Sequence, residues 1–99
     1  MPVKWRPLAE QDRDAIVDYI AQDNPLAAID VGDELIRQVM KLADHPEIGR
    51  RGRIAGTREL VISGLPYVVP YRIAGAQVEV LRVYHTARSW PINADELEL

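Results

Sequence analysis

The chain opens with Val3-Lys4-Trp5-Arg6, an alternation of apolar and basic residues that predicts a short strand ended by Pro7. From Leu8 to about Asn24 the period lengthens. Leu8, Ala15, Ile16, Tyr19 and Ile20 fall on one side and Glu10, Asp12, Arg13, Asp14 and Asp18 elsewhere, the pattern of an amphipathic helix. Asn24-Pro25 then supplies a side-chain acceptor for a helix N-terminus and a proline whose missing N–H costs nothing at the first helical position. A second helix is expected from there to about Asp44, closed by His45-Pro46. Two apolar stripes run along it, Ala28, Val31, Leu35, Val39 and Leu42, and beside them Ile29, Ile36, Met40 and Ala43. So wide an arc either packs under the first helix as well as on a sheet or faces a partner. Gly32 within this helix costs about 1 kcal/mol relative to alanine or marks a close approach.

Residues 47–56 read as a loop, Glu47 followed by Ile48-Gly49-Arg50-Arg51-Gly52-Arg53-Ile54-Ala55-Gly56. It lacks the lysine and hydroxyl of a phosphate-cradling P-loop. Three strands follow, Arg58 to Ser63, Tyr67 to Ile73 and Val78 to His85, linked by Gly64-Leu65-Pro66 and Ala74-Gly75-Ala76. Such short links make them antiparallel neighbours in sequence order. Pro70 cannot donate to a ladder, so a bulge or broken pairing is expected there. In the last strand, period two puts Leu81, Val83 and His85 on one face and Arg82 and Tyr84 on the other. The expected fold is α+β with element order β-α-α-β-β-β, the helical pair on one face of a small, mainly antiparallel sheet and the other face open. Residues 1–92 make one domain, and 93–99 form an acidic tail, either disordered or a last helical turn.

Composition narrows the chemistry. The chain's 99 residues support one core, and 47% hydrophobic with 27% charged residues is ordinary for a globular domain. Without cysteine there is no disulfide framework, thiolate metal site or thiol nucleophile, and two histidines do not make a zinc site, so no metal is expected. The start lacks the apolar stretch of a secretory signal, and no run has the length of a membrane helix, which gives an expectation of a cytoplasmic protein with no membrane role. The net charge of −3 hides a split. Residues 1–49 carry five cations against ten carboxylates, 5 − 10 = −5, while residues 50–92 carry seven arginines against Glu59 and Glu79, 7 − 2 = +5. Either both surfaces are merely solvated, or the arginine side meets an anionic or nucleic-acid-bearing target. Arginine without lysine in this stretch suits forked contacts to phosphate or carboxylate.

The run Leu81-Arg82-Val83-Tyr84-His85-Thr86-Ala87-Arg88-Ser89-Trp90-Pro91 ends a strand in a titratable ring and cations. His85 either caps the strand end through a backbone hydrogen bond or acts as an acid or base near neutral pH. Trp90 either packs under the helices or stacks on a base. Acidic helices and the lack of a basic recognition helix argue against a direct reader of duplex DNA.

Asp18-Tyr19-Ile20, Asn24-Pro25-Leu26-Ala27-Ala28, Gly56-Thr57-Arg58-Glu59-Leu60, Tyr71-Arg72-Ile73 and the run from Val83 to Pro91, in this order of elements, resemble the RelE/ParE family of bacterial toxins. The resemblance spans Trp5 to Pro91. It implies a type II toxin–antitoxin module in which a cognate antitoxin protein holds the toxin inactive, wrapping it with a helix and an extended strand. Growth inhibition and plasmid stabilisation are the associated roles, and no small-molecule cofactor is implied. Two mechanisms exist among such toxins. ParE-like members inhibit DNA gyrase, while RelE-like members cut mRNA in the ribosome.

Ribonuclease members commonly place an arginine after the aromatic that begins the third strand, whereas here Val68 follows Tyr67. Lysines found on the second strand of some of them are absent, leaving Arg58 at that edge. The ParE-like reading is therefore preferred, with Arg50, Arg51, Arg53, Arg82, Arg88 and Trp90 as target contacts and Tyr19, Ile29, Ile36 and Met40 as antitoxin contacts. The alternative is a ribosome-dependent endoribonuclease with His85, Glu59 and Arg58 as catalytic residues. A degenerate toxin retained as an antitoxin-binding module is the third reading.

Overall fold

Both helices begin where local chemistry asks them to. Pro7 opens α1 (Pro7–Ala21), and Pro25 opens α2 (Pro25–Met40) behind Asn24, whose Oδ1 accepts the Ala27 N–H at 3.0 Å. The computed structural model describes residues 1–99. Its strands are β1 (Val3–Trp5), β2 (Arg50–Arg51), β3 (Arg58–Val61), β4 (Tyr67–Ala74), β5 (Gln77–Val80) and β6 (Tyr84–His85), with 3-10 turns at Lys41–Ala43 and Ala94–Leu97. The sheet order is β1-β5-β4-β3-β2, with β6 also paired to β4. Only the β1–β5 pairing is parallel. This is the expected α+β architecture, two helices on a mainly antiparallel sheet.

The main core lies between the helices and one sheet face. Ala9, Leu35, Val39 and Leu42 meet Leu60, Ile62, Tyr67, Val69, Tyr71, Val78, Val80 and Val83. Gly32 lets α1 approach, since a Cβ there would stand 3.1 Å from Val17 Cγ2. Gln38, buried on α2, clamps the end of β3 by donating to Ser63 O and accepting from Ser63 N, both at 2.8 Å. Tyr71, fully buried, donates to Pro46 O at 2.8 Å and accepts from Gly49 N at 2.9 Å, which fixes the chain leading into β2.

The expected disturbance at Pro70 is present, and it has a larger consequence than lost pairing. Leu81 N and Arg82 N both point at Pro70 O, at 2.9 and 3.5 Å, so an extra residue is inserted and the strand expected over Val78 to His85 is broken into β5 and β6. The insertion shifts the alternation. Val83 joins the helix-side core, while Leu81 points to the other face with Tyr84, so the expectation that Leu81 shares a face with Val83 and His85 is corrected. Arg82, the inserted residue, turns to the sheet edge and binds Asp12 of α1, with Nε–Oδ2 at 2.7 Å and Nη2–Oδ1 at 3.1 Å.

The second face is not open as expected. Val68, Leu81 and Tyr84 are covered by Ile92 and Leu97 of the C-terminal segment, with Ile54 and Trp90 packed at the margin. The segment turns back because Asn93 caps the last 3-10 turn, accepting from Asp95 N at 2.9 Å while Glu96 Oε1 accepts from Asn93 N at 3.1 Å. Of the alternatives for residues 93–99, the helical turn is the one adopted. The segment read as a loop over 47–56 also contains a two-residue edge strand, β2, paired with β3 in the register Arg50↔Glu59 and Arg51↔Arg58.

Candidate functional site

The arginine-bearing loop between β2 and β3 is internally braced. Gly52 N donates to Thr57 O at 2.8 Å, Thr57 N and Oγ1 donate to Ile54 O at 3.1 and 2.6 Å, and Thr57 is buried. Glu59, only 2% exposed, closes the loop from beneath. Its Oε1 accepts from Arg50 Nη2 at 3.0 Å and Nε at 3.2 Å, and its Oε2 accepts from Arg53 N at 3.1 Å. The Arg53 guanidinium lies 3.9 Å from the Trp90 ring centroid, so the loop leans on the C-terminal segment. Trp90 thus sits on the sheet face away from the helices, which corrects the expectation that it packs under them, and meets Tyr84 edge-on at 6.1 Å.

Glu96 is the hub of that segment. Arg88 grips it with Nη1–Oε2 at 2.6 Å and Nη2–Oε1 at 3.1 Å, Tyr84 donates to Oε2 at 2.8 Å, and Arg82 Nη1 donates to its backbone O at 2.9 Å. The Arg88 fork, then the Asn93 amide and the Tyr84 hydroxyl, pull the Glu96 carboxyl down to about 2. Burial, reinforced by the neighbouring carboxylate, pushes the Tyr84 hydroxyl up to about 12. Hydrogen bonding to Asp12 raises Arg82 above its ordinary value.

Of the expected target contacts, the structure therefore joins Arg53, Arg82, Arg88 and Trp90 around one segment and ties Arg50 to Glu59, while Arg51 stays exposed. The partners Asp12 and Glu96 escaped sequence reasoning. The Arg82 pair spans 70 residues and no local signal announces it. Asn93-x-x-Glu96, in contrast, is a capping pattern visible in the sequence.

The three candidate catalytic residues are not brought together. Glu59 pairs with Pro70 and His85 with Tyr67, on opposite sides of β4. That separates them by two strand spacings across the sheet, ~10 Å, and about as much along it. Tyr67 faces the helices and Pro70 the other way, so Glu59 and His85 also occupy opposite faces. Arg58 uses Nη1 to bind Gly49 O at 2.9 Å and Glu47 O at 3.2 Å, at the far end of β3 from His85. His85 is exposed, accepts from Ala87 N through Nδ1 at 3.0 Å and meets Tyr67 edge-on at 5.5 Å. That bond leaves the ring proton of the neutral form on Nε2.

The helices carry Tyr19, Leu26, Ile29, Ile36 and Met40 among the exposed large apolar side chains. Ile29, Ile36 and Met40 are 57%, 40% and 50% exposed, so the second stripe of α2 lies in solvent instead of under α1. Leu26, 75% exposed, extends it by one turn. The spacing 26, 29, 36, 40 could have placed Leu26 in that stripe. Tyr19 is exposed too but belongs elsewhere. It lines a shallow groove of about 330 Å³ with Ala15, Ile16, Ile20, Tyr67 and His85. Along α2, Asp30, Asp33 and Glu34 form an acidic rim, and the Arg37 hydrogen bond, helped by Gln38, draws Glu34 down to about 2. No group of three or more His, Cys, Asp or Glu side chains is arranged to hold a metal ion, and no helix is long and apolar enough to cross a membrane.

Comparison with known proteins adds the lineage. Residues 3–90 match the ParE toxin of the type II toxin–antitoxin system parDE. A putative toxin, Y4kP, of Sinorhizobium fredii is 43% identical over 89 residues, covering 90% of this chain and 92% of that protein. Toxin RelE2 of Caulobacter vibrioides is 44% identical over 84 residues, covering 85% and 91%. The solved structure of a chromosomal ParDE toxin–antitoxin system from P. aeruginosa superposes with a TM-score of 0.79 at 28% identity, covering 86% of this chain and 95% of that one. With the same two helices on the same kind of sheet and a match running from β1 to Trp90, the chain belongs to the ParE toxin family of type II toxin–antitoxin systems within the RelE/ParE superfamily.

Proposed function

We propose that this toxin stops growth in the cytoplasm by binding DNA gyrase and stalling it, and that a cognate antitoxin neutralises it. The observation that carries the reading is the separation of Glu59 from His85 on opposite sheet faces, which keeps those two from serving as an acid–base pair on a single phosphate. Val68 supports it further. Where ribonuclease relatives commonly hold an arginine, this side chain is 2% exposed and packs against Leu81, Tyr84 and Ile92. Glu59 is committed to Arg50 and the Arg53 amide, and Arg58 to backbone carbonyls, so both have structural occupations. The ribonuclease alternative draws on His85, which stands exposed in the Tyr19 groove with Nε2 unengaged.

For the antitoxin, Ile29, Ile36, Met40 and Leu26 offer an apolar stripe beside an acidic rim. They fit an amphipathic helix with basic flanks. The Tyr19 groove takes a separate apolar anchor. Protection from deuterium exchange across residues 8–44 on antitoxin binding is the expected result, and unchanged exchange there removes this interface from the account.

The activity itself is tested with purified gyrase and supercoiled plasmid. The expected result is loss of supercoiling with accumulation of cleaved DNA, reversed by antitoxin. Unimpaired gyrase together with mRNA cleavage on purified ribosomes overturns the reading.

A further inference from the structure

Seven arginines lie in residues 50–92, and most of their charge is spoken for. Arg50 pairs with Glu59, Arg72 with Glu79, Arg82 with Asp12 and Arg88 with Glu96. The remaining three, Arg51, Arg53 and Arg58, have no carboxylate partner, and all three line one open cleft of about 610 Å³ with Gly52, Ala55, Gly56, Thr57 and Ile73. No acidic residue contributes to its walls. The excess charge of the C-terminal half is thereby concentrated at one place.

The register makes this arrangement costly to the free protein. Arg51 and Arg58 stand directly opposite each other across the β2–β3 pair. Like charges in that position repel and destabilise the pairing. No carboxylate in the chain pairs with either of them. The loop cannot swing away either, because Glu59 and Thr57 fasten it from beneath and the Trp90 ring holds the Arg53 guanidinium. Arg58 binds carbonyl oxygens only through Nη1, leaving Nε and Nη2 without protein acceptors. With the Arg51 fork free, Arg58 keeping two donors to spare and Arg53 at the same cleft, the site offers several N–H donors to an anion bearing several acceptor oxygens.

We propose that this cleft is a phosphodiester site. Resting on the gyrase reading, its ligand is the backbone of the DNA that the enzyme holds, which the toxin grips while the rest of its surface meets protein. The acidic helical half disfavours long-range attraction to free nucleic acid, so the site acts locally, once the target has brought the phosphates within a Debye length.

The test uses the full chain and Arg51→Gln and Arg51→Glu, because Arg51 is exposed and has no partner to lose. Fluorescence anisotropy measures binding to a labelled DNA duplex and to a labelled single-stranded RNA at low salt, with poly-glutamate as a competing acidic polymer. Thermal melting accompanies it. The expected result is that Arg51→Glu melts no lower than wild type, since it removes the repulsion with Arg58, yet binds the duplex at least about tenfold more weakly, and that Arg51→Gln flattens the log–log salt dependence by about one. Duplex binding unchanged in both variants overturns the proposal. So does tight poly-glutamate binding without duplex binding, which assigns the cleft to an acidic protein segment, and so does a preference for RNA over duplex. Gyrase pull-down with and without DNA separates the two levels. Absence of any gyrase binding ends the gyrase reading alone, whereas gyrase binding that added DNA strengthens equally for wild type and Arg51→Glu ends the phosphodiester site alone.

Discussion

Glu59 distinguishes a structural from a catalytic account of this toxin, and the structure sets the size of the effect. Replacement by alanine leaves the Arg53 N–H without its acceptor at a position where Glu59 is 2% exposed. A hydrogen bond to a charged group contributes about 1.5–3 kcal/mol. The Arg50 ion pair adds less, because the arginine side chain is 54% exposed and water screens it, so it is discounted to under about 1 kcal/mol. Alanine is therefore expected to cost roughly 3 kcal/mol in all. Glutamine keeps the shape and one acceptor oxygen for the Arg53 amide while losing the charge, and is expected to cost about 1 kcal/mol. Urea titration of both variants, with the slope as a check on two-state behaviour, measures the difference. A cycle with Arg50→Ala should return a coupling below about 1 kcal/mol. Since the loop remains fastened, Glu59→Gln should still poison growth. The reasoning is refuted if Glu59→Ala unfolds as wild type does, or if Glu59→Gln folds with nearly full stability but is no longer toxic, the behaviour of a catalytic base.

Leu97→Ala removes a side chain that is 2% exposed against Val68, Leu81 and Tyr84, and should destabilise by about 2–3 kcal/mol in chemical denaturation, where an inert tail would give no change. Glu96 titrates well below its ordinary 4.5, at about 2, so its stabilising contribution is present above pH 4.5 and disappears as pH falls from there towards 2. Trp90 emission should report loosening of the C-terminal turn in that window, and Glu96→Gln should abolish the transition. If the emission is flat across it, Glu96 does not anchor the segment. His85→Ala should leave toxicity intact, judged by plating after induction, and the antitoxin should still co-purify through the α2 stripe although the Tyr19 groove loses one wall. Loss of toxicity in a folded, antitoxin-binding variant would restore the ribonuclease alternative.

What the sequence made legible was local. Asn24-Pro25 announced the second helix because its cap and first position are neighbours in the chain. Pro70 announced a break in pairing because proline lacks the donor, but the proline could not say that the extra residue would be inserted at Arg82. That single insertion reversed the facing of Leu81 relative to Val83 and His85 and turned Arg82 to Asp12. The covered second face was hidden for a related reason. Its lid is a short turn whose Asn93-x-x-Glu96 cap is readable, whereas the docking of Leu97 and the grip of Arg88 on Glu96 depend on where the chain returns in space. The charge split between halves was correct as arithmetic, yet pairings across the fold neutralise four of the seven arginines and leave the excess at Arg51, Arg53 and Arg58. The two stripes of α2 were also visible. Which of them the fold would bury was not, because periodicity marks apolar faces without naming what covers them.

The central claim is that this toxin attacks DNA topology and leaves messages uncut. The direct measurement is a pulse-labelling time course after induction in bacteria lacking the antitoxin, following thymidine and methionine incorporation side by side. The account predicts an early fall in thymidine incorporation while methionine incorporation continues. An early fall in methionine incorporation instead would contradict it and return His85 to the centre of the mechanism, and continued incorporation of both would leave a module that binds its antitoxin and poisons nothing.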